Sequence, residues 1–123
     1  MSKTFTDVEV FLAACGQRHA STPVARNELS ALYKKLIDEE YQEFLDAYED
    51  LDNVEQLDAC FDMIWVIIGY MKSRGWDCEA AWDEGAKSNL AKIDKKTGFV
   101  IRRADGKILK PEGWTPPDFS KFV

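Results

Sequence analysis

Six carboxylates are the residues of this chain best placed to do chemistry, because they interrupt patterns that otherwise bury apolar side chains. They are Glu39, Glu40, Glu43, Glu55, Asp58 and Asp62. At the ~100° per residue of an α-helix, Glu40 and Glu43 fall within a broad apolar arc of the predicted helix 29–48. Glu39 lies at the edge of the same arc.

The other three acids share one strip of the next predicted helix, 52–74. At helical spacing this strip is roughly 60° wide and continues through Trp65 and Gly69. Removing so many like charges from water costs several kcal/mol per ion unless a cation compensates them. The pattern therefore predicts a bound metal ion.

The residues around these acids narrow the choice of metal. Zinc sites use His or Cys ligands, and helical di-iron sites use Glu-x-x-His. The one histidine, His19, falls in a predicted loop, and the three cysteines are far apart. Ligation by oxygen alone favours Mg²⁺ or Mn²⁺, which complete their shells with water and substrate phosphates. The implied substrate is a nucleotide or another phosphorylated small molecule.

Composition indicates one domain in a reducing compartment. The chain has 123 residues, 46% of them apolar and 31% charged, and a net charge of −6. This charge argues against a nucleic-acid or anionic-membrane partner. We expect the unpaired cysteines to be reduced thiols, and we see no secretory signal, so a cytoplasmic location is predicted. The apolar run 57–71 carries two aspartates and is too short to span a bilayer.

Turn and cap residues divide the chain into four helices and a tail. A capping box at Thr6 and Glu9 opens the first predicted helix, and the second covers about 24–50 with Pro23 in its first turn. The third begins at Asp52 and is stopped by Gly75. The fourth is capped by Asp77 and runs to about Ile93. Short apolar runs flank Asp105-Gly106 and predict a hairpin, and prolines keep the remainder extended. We therefore predict an all-α fold and a single domain over 1–123, with a helical core of about 6–93 and an extended tail of 94–123.

The third helix also predicts self-association. From 57 to 71 its only charged residues are Asp58 and Asp62, and every other direction is apolar or small. A helix that is apolar all round must be covered all round. One small four-helix chain can scarcely do this alone, so we expect an oligomeric helical bundle, a homodimer or a homotetramer.

The order of the acids matches a known signature. Glu39-Glu40-x-x-Glu43 followed by Glu55-x-x-Asp58 resembles the EExxE…ExxD pattern of the MazG-like, all-α nucleoside triphosphate pyrophosphohydrolases, which include phosphoribosyl-ATP pyrophosphatase and dimeric dUTPases. The resemblance continues through 58–69 and 88–92. Asp105-Gly106-Lys107 and Lys110-Pro111 are similar to the tail of single-domain, phage-type members.

The resemblance implies a four-helix unit that dimerises or pairs dimers, and Mg²⁺-dependent hydrolysis of a nucleoside triphosphate to the monophosphate and pyrophosphate. It assigns Glu39, Glu40, Glu43, Glu55 and Asp58 to the acidic cluster that binds metal and activates water. We expect Glu39 or Glu40 to be the general base. The residues expected to contact substrate are Trp65, Lys87, Asn89, Lys92, and Arg102 or Arg103.

Alternatives stay open in two respects, namely which acids of the third helix bind the metal and which class of protein this is. Only eleven residues separate Glu43 from Glu55, which is short for this family. In a rival register Asp58 and Asp62 face the metal while Glu55 merely caps its helix. Two other classes also fit the acids: a non-catalytic helical dimerisation or partner-binding module with a structural cation, and a four-helix carboxylate protein of redox function. The sequence leaves the preferred nucleotide and the number of metal ions undetermined.

Overall fold

Helices provide most of the regular structure. The structure is a computed structural model that describes residues 3–17 and 19–123. Its elements are α1 (Lys3–Ala14), α2 (Glu28–Glu49), α3 (Asn53–Ser73), α4 (Cys78–Leu90), β1 (Ile101–Arg102), β2 (Ile108–Leu109) and a 3₁₀ turn (Ser120–Phe122). The all-α prediction is confirmed. Within the described ranges, no helix is both long and apolar enough to cross a membrane.

The chain divides into two compact units. The first contains α1, α2 and α3 and reaches Cys78, with Val123 grouped beside it. The second covers 79–122, which holds nearly all of α4, the hairpin and the tail. The single domain proposed from the sequence stays a prediction.

The α2–α3 hairpin begins and turns at well-formed caps. Asn27 Oδ1 accepts from the Ser30 backbone N–H at 2.9 Å, and Ser30 Oγ accepts from the Asn27 N–H at 2.8 Å. This reciprocal cap makes α2 begin at Glu28, so the prediction that Pro23 lies in its first turn is wrong. Asp52 caps α3 as predicted, accepting from the Glu55 N–H at 3.0 Å. The three-residue connection makes the two helices antiparallel.

The first helix differs from its prediction in where it begins. α1 starts at Lys3, so Thr6 lies inside the helix and the predicted capping box is wrong. Glu9 Oε1 instead accepts a hydrogen bond from Lys72 Nζ of α3 at 2.8 Å. The Lys72 side chain is only 8% exposed. A buried ammonium without a carboxylate partner costs more free energy than an unfilled capping position at a helix end, so Glu9 pairs with Lys72.

The core of the first unit lies between α1, α2 and α3. Its buried residues are Val8, Leu12, Tyr33, Val66, Ile68 and Cys78. Gly69 lies directly beneath the Tyr33 ring, where a Cβ atom would overlap the ring. The connector before α2 covers the end of α3, since Asn27 Nδ2 donates to the Ser73 carbonyl at 3.1 Å.

The second unit joins the tail to α4. Ile101 pairs with Leu109 and Arg102 with Ile108, and Gly106 in the turn has φ +90°, so the predicted hairpin is confirmed. α4 ends at Leu90 rather than Ile93. Trp114 Nε1 of the tail donates to the Ser88 carbonyl of α4 at 2.8 Å.

Candidate metal centre

Three carboxylates from α2 and α3 meet at one place. Glu40, Glu43 and Asp62 each offer a carboxylate oxygen, and these oxygens lie within 4.8 Å of one another. Glu40 and Glu43 are three residues apart on α2 and so share a helix face, while α3 contributes Asp62. We call these three residues the acid cluster.

Glu40 is the most strongly perturbed member of the acid cluster. Burial, followed by the neighbouring carboxylate of Glu43, raises its pKa to about 7. Asp62 and Asp58 push the pKa in the same direction. Glu40 Oε2 is buried and has no hydrogen-bond partner. A buried carboxylate oxygen in this state requires either a proton or a cation.

Asp62 shows the same electrostatic pattern. Burial first, and the adjacent Asp58 carboxylate second, raise its pKa above the usual range. Asp58 itself is exposed. The structure therefore places Asp58 beside the acid cluster, where it adds negative charge from the solvent side.

Besides Asp58, two of the predicted site acids lie outside the acid cluster. Glu39 is exposed on α2, and Glu55 is exposed in the first turn of α3. Glu55 gives its backbone N–H to Asp52 at the helix cap. Of the α3 acids that distinguish the two registers left open by the sequence, Asp62 lies in the acid cluster and Glu55 does not, and the choice of metal ligands stays a prediction.

Trp65 packs within an aromatic group on the first unit. Its ring centroid is 5.5 Å from that of Phe11 on α1 and 5.7 Å from that of Phe61 on α3. The indole is half-buried and packs against the core. The contacts described for Trp65 are those of a packing residue one turn from Asp62.

The other predicted substrate contacts lie in the second unit. Lys87 is exposed and lines an open groove, and Asn89 Oδ1 accepts from Lys92 Nζ at 3.2 Å. Arg102 donates to the Gly106 carbonyl at 3.1 Å, and Arg103 pairs with Asp105 at 2.6 Å. Both arginines therefore stabilise the hairpin turn.

The acid cluster suits a hard divalent cation. It offers oxygen ligands only, which Mg²⁺ and Mn²⁺ prefer, and two of its carboxyl groups have pKa values raised by the burial and like charge that a cation would offset. The buried, unpaired Glu40 Oε2 gives such an ion a protein ligand already withdrawn from water.

Comparison with known protein families matches residues 8–89 to the family described as phosphoribosyl-ATP pyrophosphohydrolase. The chain belongs to this family. The family lies within the MazG-like, all-α nucleoside triphosphate pyrophosphatase superfamily, so the resemblance seen in the sequence is confirmed. A search of curated proteins gives no match.

Membership in the phosphoribosyl-ATP pyrophosphohydrolase family establishes the reaction class. The chain is a nucleotide pyrophosphohydrolase, a hydrolase of phosphoanhydride bonds, and the family indicates dependence on a divalent cation. The matched residues include all six predicted acids, Trp65, Lys87 and Asn89. Lys92, Arg102 and the tail lie beyond them.

Sequence reasoning gave no role to two features that shape this pyrophosphohydrolase. Tyr33 of α2 and Gly69 of α3 approach each other closely, about two helical turns along the interface from the acid cluster. The sequence signal for this contact was Gly69 itself, a glycine on the same strip of the third helix as the acids. In the second unit, Lys110 Nζ lies 4.8 Å from the centroid of the Trp114 ring, and nothing in the spacing of these two residues indicates the contact.

Proposed function

We propose that this pyrophosphohydrolase converts a nucleoside triphosphate, with a deoxynucleotide or modified nucleotide preferred, to the monophosphate and pyrophosphate in a Mg²⁺-dependent reaction. The observation that carries the proposal is the acid cluster with its buried, unpaired Glu40 oxygen. Mn²⁺ is the alternative ion, since it accepts the same oxygen ligands.

The metal ligands we propose are Glu40, Glu43 and Asp62, with Asp58 beside them. Bound there, the cation would neutralise phosphate charge and polarise the phosphoanhydride. Glu55 is proposed from the resemblance as a further ligand, and its exposed position at the helix cap makes it the weakest of the set.

Glu39 is the group we propose as general base. It neighbours Glu40 in the chain but lies outside the acid cluster, so its carboxylate stays free to accept a proton. The oxygen of the attacking water forms the new bond to phosphorus, Glu39 takes the proton, and pyrophosphate departs with the electrons of the broken P–O bond. Glu40 is the alternative base, because a pKa of about 7 is matched to that task.

The substrate contacts proposed for the second unit rest on chemistry and on the resemblance. Lys87 and Lys92 supply ammonium groups for phosphate oxygens, and Asn89 supplies an amide for base or sugar. Arg102 already bonds within the hairpin, and it still has donors to offer a phosphate. Trp65 is proposed to line the nucleoside pocket beside the acid cluster.

A second copy of the chain is the proposed partner. Large apolar side chains of α3 are exposed in one stripe, with exposed fractions of 76%, 71%, 55% and 56% for Val54, Leu57, Phe61 and Ile64. Patches of this kind mark association surfaces. Ile64→Lys should reduce the mass measured by light scattering to that of one chain. Val10→Lys, at an exposed apolar position of α1, should leave the mass unchanged.

A cytoplasmic location is also proposed. The three cysteines are free thiols in the structure, as a reducing compartment favours. Immunodetection in cell fractions tests it, and recovery outside the cytoplasmic fraction would exclude it.

Pyrophosphate release from a panel of nucleotides tests the catalytic proposal. The panel contains canonical and modified ribo- and deoxynucleoside triphosphates and phosphoribosyl-ATP, each assayed with Mg²⁺, with Mn²⁺ and with EDTA. We expect metal-dependent release from a subset of triphosphates. Release from phosphoribosyl-ATP alone would overturn the proposed substrate, and undiminished release in EDTA would overturn the proposed metal.

A further inference from the structure

The turn between α2 and α3 holds a leucine in a conformation that leucine rarely adopts. Leu51 has φ +55°, in the left-handed region, whereas the other described residues with positive φ are glycines. Its N–H donates to the Tyr48 carbonyl at 3.2 Å, and the Asp52 N–H donates to the Ala47 carbonyl at 3.1 Å. These two bonds form a Schellman motif, whose left-handed position glycine usually occupies because a Cβ atom is disfavoured there. The backbone therefore does not explain why the residue is leucine.

The Leu51 side chain is also left in solvent. It is 83% exposed, and Tyr48 and Val54, three residues to either side, are exposed as well. We call Tyr48, Leu51 and Val54 the apolar tip. Exposed apolar patches mark association surfaces, and backbone strain is common where a side chain is held for recognition. A surface that covers the apolar tip would give the leucine the contacts that it lacks within the chain.

Negative charge surrounds the apolar tip. Residues 46–58 include six carboxylates and no basic residue. Glu49 and Asp50 are exposed, and neither belongs to an ion pair within the ranges 3–17 and 19–123. A surface that covers the tip must therefore offer apolar contact at its centre and positive charge around it.

One face of the β1–β2 hairpin offers both. Ile101 pairs with Leu109 across the two strands, so their side chains lie on the same face. Phe99 and Lys107, two residues before each, fall on this face by strand alternation. The three apolar side chains are exposed, and residues 95–110 carry six basic residues and one acidic residue. We call Phe99, Ile101, Lys107 and Leu109 the hairpin face.

We propose that the apolar tip of one copy of the chain docks on the hairpin face of a second copy. The proposal rests on the proposed self-association and adds which surfaces meet. Opposite charge favours this pairing over tip with tip or hairpin with hairpin, because like charges repel across an interface. Since every copy carries both surfaces, two copies related by a twofold axis form the contact twice.

Sedimentation equilibrium of the full-length protein gives the Kd of self-association and tests the contact. The variants are Leu51→Gly and Asp50→Lys in the tip and Lys107→Glu in the hairpin face. Two matched controls accompany them. Leu51→Met keeps an apolar side chain at the same backbone position, and Lys35→Glu makes the same charge reversal at an exposed position of α2.

We expect each of the three variants to raise the Kd about tenfold or more, and both controls to match the wild type. An equimolar mixture of Asp50→Lys and Lys107→Glu should associate again. In a mixed pair the reversed tip meets the reversed hairpin face, and the other contact is wild type on both sides. A wild type that stays a single chain, unchanged Kd values in the variants, or no recovery in the mixture would overturn the proposal.

Thermal stability separates docking from a role within the chain. At a dilution where the protein is a single chain, Leu51→Gly should melt no lower than the wild type, because glycine adopts a positive φ without strain. A lower melting temperature would assign Leu51 to packing within its own chain and overturn the proposal. If Ile64→Lys dissociates the copies while the three variants do not, the second copy is retained and the tip contact is refuted. These measurements need no turnover, so failure of the nucleotide panel is a separate outcome.

Discussion

The ring of Tyr33 on α2 occupies the space where a side chain on Gly69 of α3 would lie. Glu40 follows Tyr33 by seven residues, and Asp62 precedes Gly69 by seven. Because the two helices are antiparallel, the acid cluster lies about two turns along the same interface. The approach of Tyr33 to Gly69 therefore helps to set the distance between the α2 and α3 carboxylates.

Gly69→Ala should destabilise the protein and slow the reaction together. The added Cβ overlaps the Tyr33 ring, so we expect the free energy of unfolding to fall by about 1–3 kcal/mol. A displacement of the carboxylates by about 1 Å lowers kcat on the order of 100-fold. Urea denaturation and steady-state kinetics measure both effects.

Gly85→Ala is the control for this substitution. Gly85 also lies in a helix, but its added Cβ would meet only the Phe119 ring at 3.5 Å, an ordinary contact. We expect the free energy of unfolding to rise by about 0.5–1 kcal/mol, since alanine favours a helix over glycine. Equal losses in the two variants would contradict the role given to Tyr33.

Glu43→Gln should abolish turnover and spare the fold. The substitution keeps the size of an exposed side chain but removes a negative ligand of the acid cluster. We expect kcat to fall about 100-fold or more, because the cation it helps to hold stabilises transition-state charge. Glu49→Gln, an exposed acid at the end of the same helix, is the control. Retained turnover in Glu43→Gln would contradict the assignment of Glu43 as a metal ligand.

Asp62→Asn and Glu55→Gln distinguish the two α3 registers. Asp62 belongs to the acid cluster and Glu55 lies outside it, at the helix cap. We expect Asp62→Asn to raise the Mg²⁺ concentration needed for half-maximal activity at least about ten times more than Glu55→Gln does. A difference of this size is expected between a metal ligand and a residue that does not bind the metal. Titration of activity with Mg²⁺ gives both values, and the reverse order would favour the register in which Glu55 is the ligand.

Glu40 should make the metal-free protein less stable as the pH rises. Its pKa is raised from 4.5 to about 7 in the folded state, so the folded protein binds a proton that the unfolded chain releases. The stability this proton contributes is fully present below about pH 4.5 and is lost as the pH rises through about 7. Urea denaturation in EDTA across this window measures the loss. Glu40→Gln cannot titrate there, so an unchanged slope in that variant would refute the assignment.

Glu9→Gln should destabilise the contact between α1 and α3. Lys72 Nζ donates to Glu9 Oε1 at 2.8 Å, and the Lys72 side chain is 8% exposed, so the substitution leaves a buried ammonium without its counter-charge. We expect a loss of about 1–3 kcal/mol in the free energy of unfolding. Asp38→Asn breaks the exposed Lys34–Asp38 pair, whose side chains are 74% and 68% exposed, and should change it by less than about 0.5 kcal/mol. Similar losses would show that burial does not distinguish the pairs.

The sequence by itself determined the helical class, the α3 cap and the set of acids from which the acid cluster is drawn. Periodicity and cap residues are local properties, so the Asp52 cap, the Asp105-Gly106 hairpin and the two acid strips were readable without coordinates. The order of the acids also indicated the family that the comparison confirmed.

Only the tertiary structure decided which acids meet and which basic groups gather. Glu55 and Asp62 share a helix face, but the α2–α3 register brings only Asp62 to Glu40 and Glu43. Thr6 and Glu9 match the sequence pattern of a local helix cap. In the structure, however, Glu9 accepts a hydrogen bond from the buried Lys72, sixty-three residues away in the chain. Lys110 and Trp114 carry no local signal, because an ammonium over a ring depends on how the chain folds back onto α4. The helix register, the burial of a side chain and the return of the tail onto α4 each depend on contacts between segments distant in the chain. No single stretch of sequence therefore predicts them.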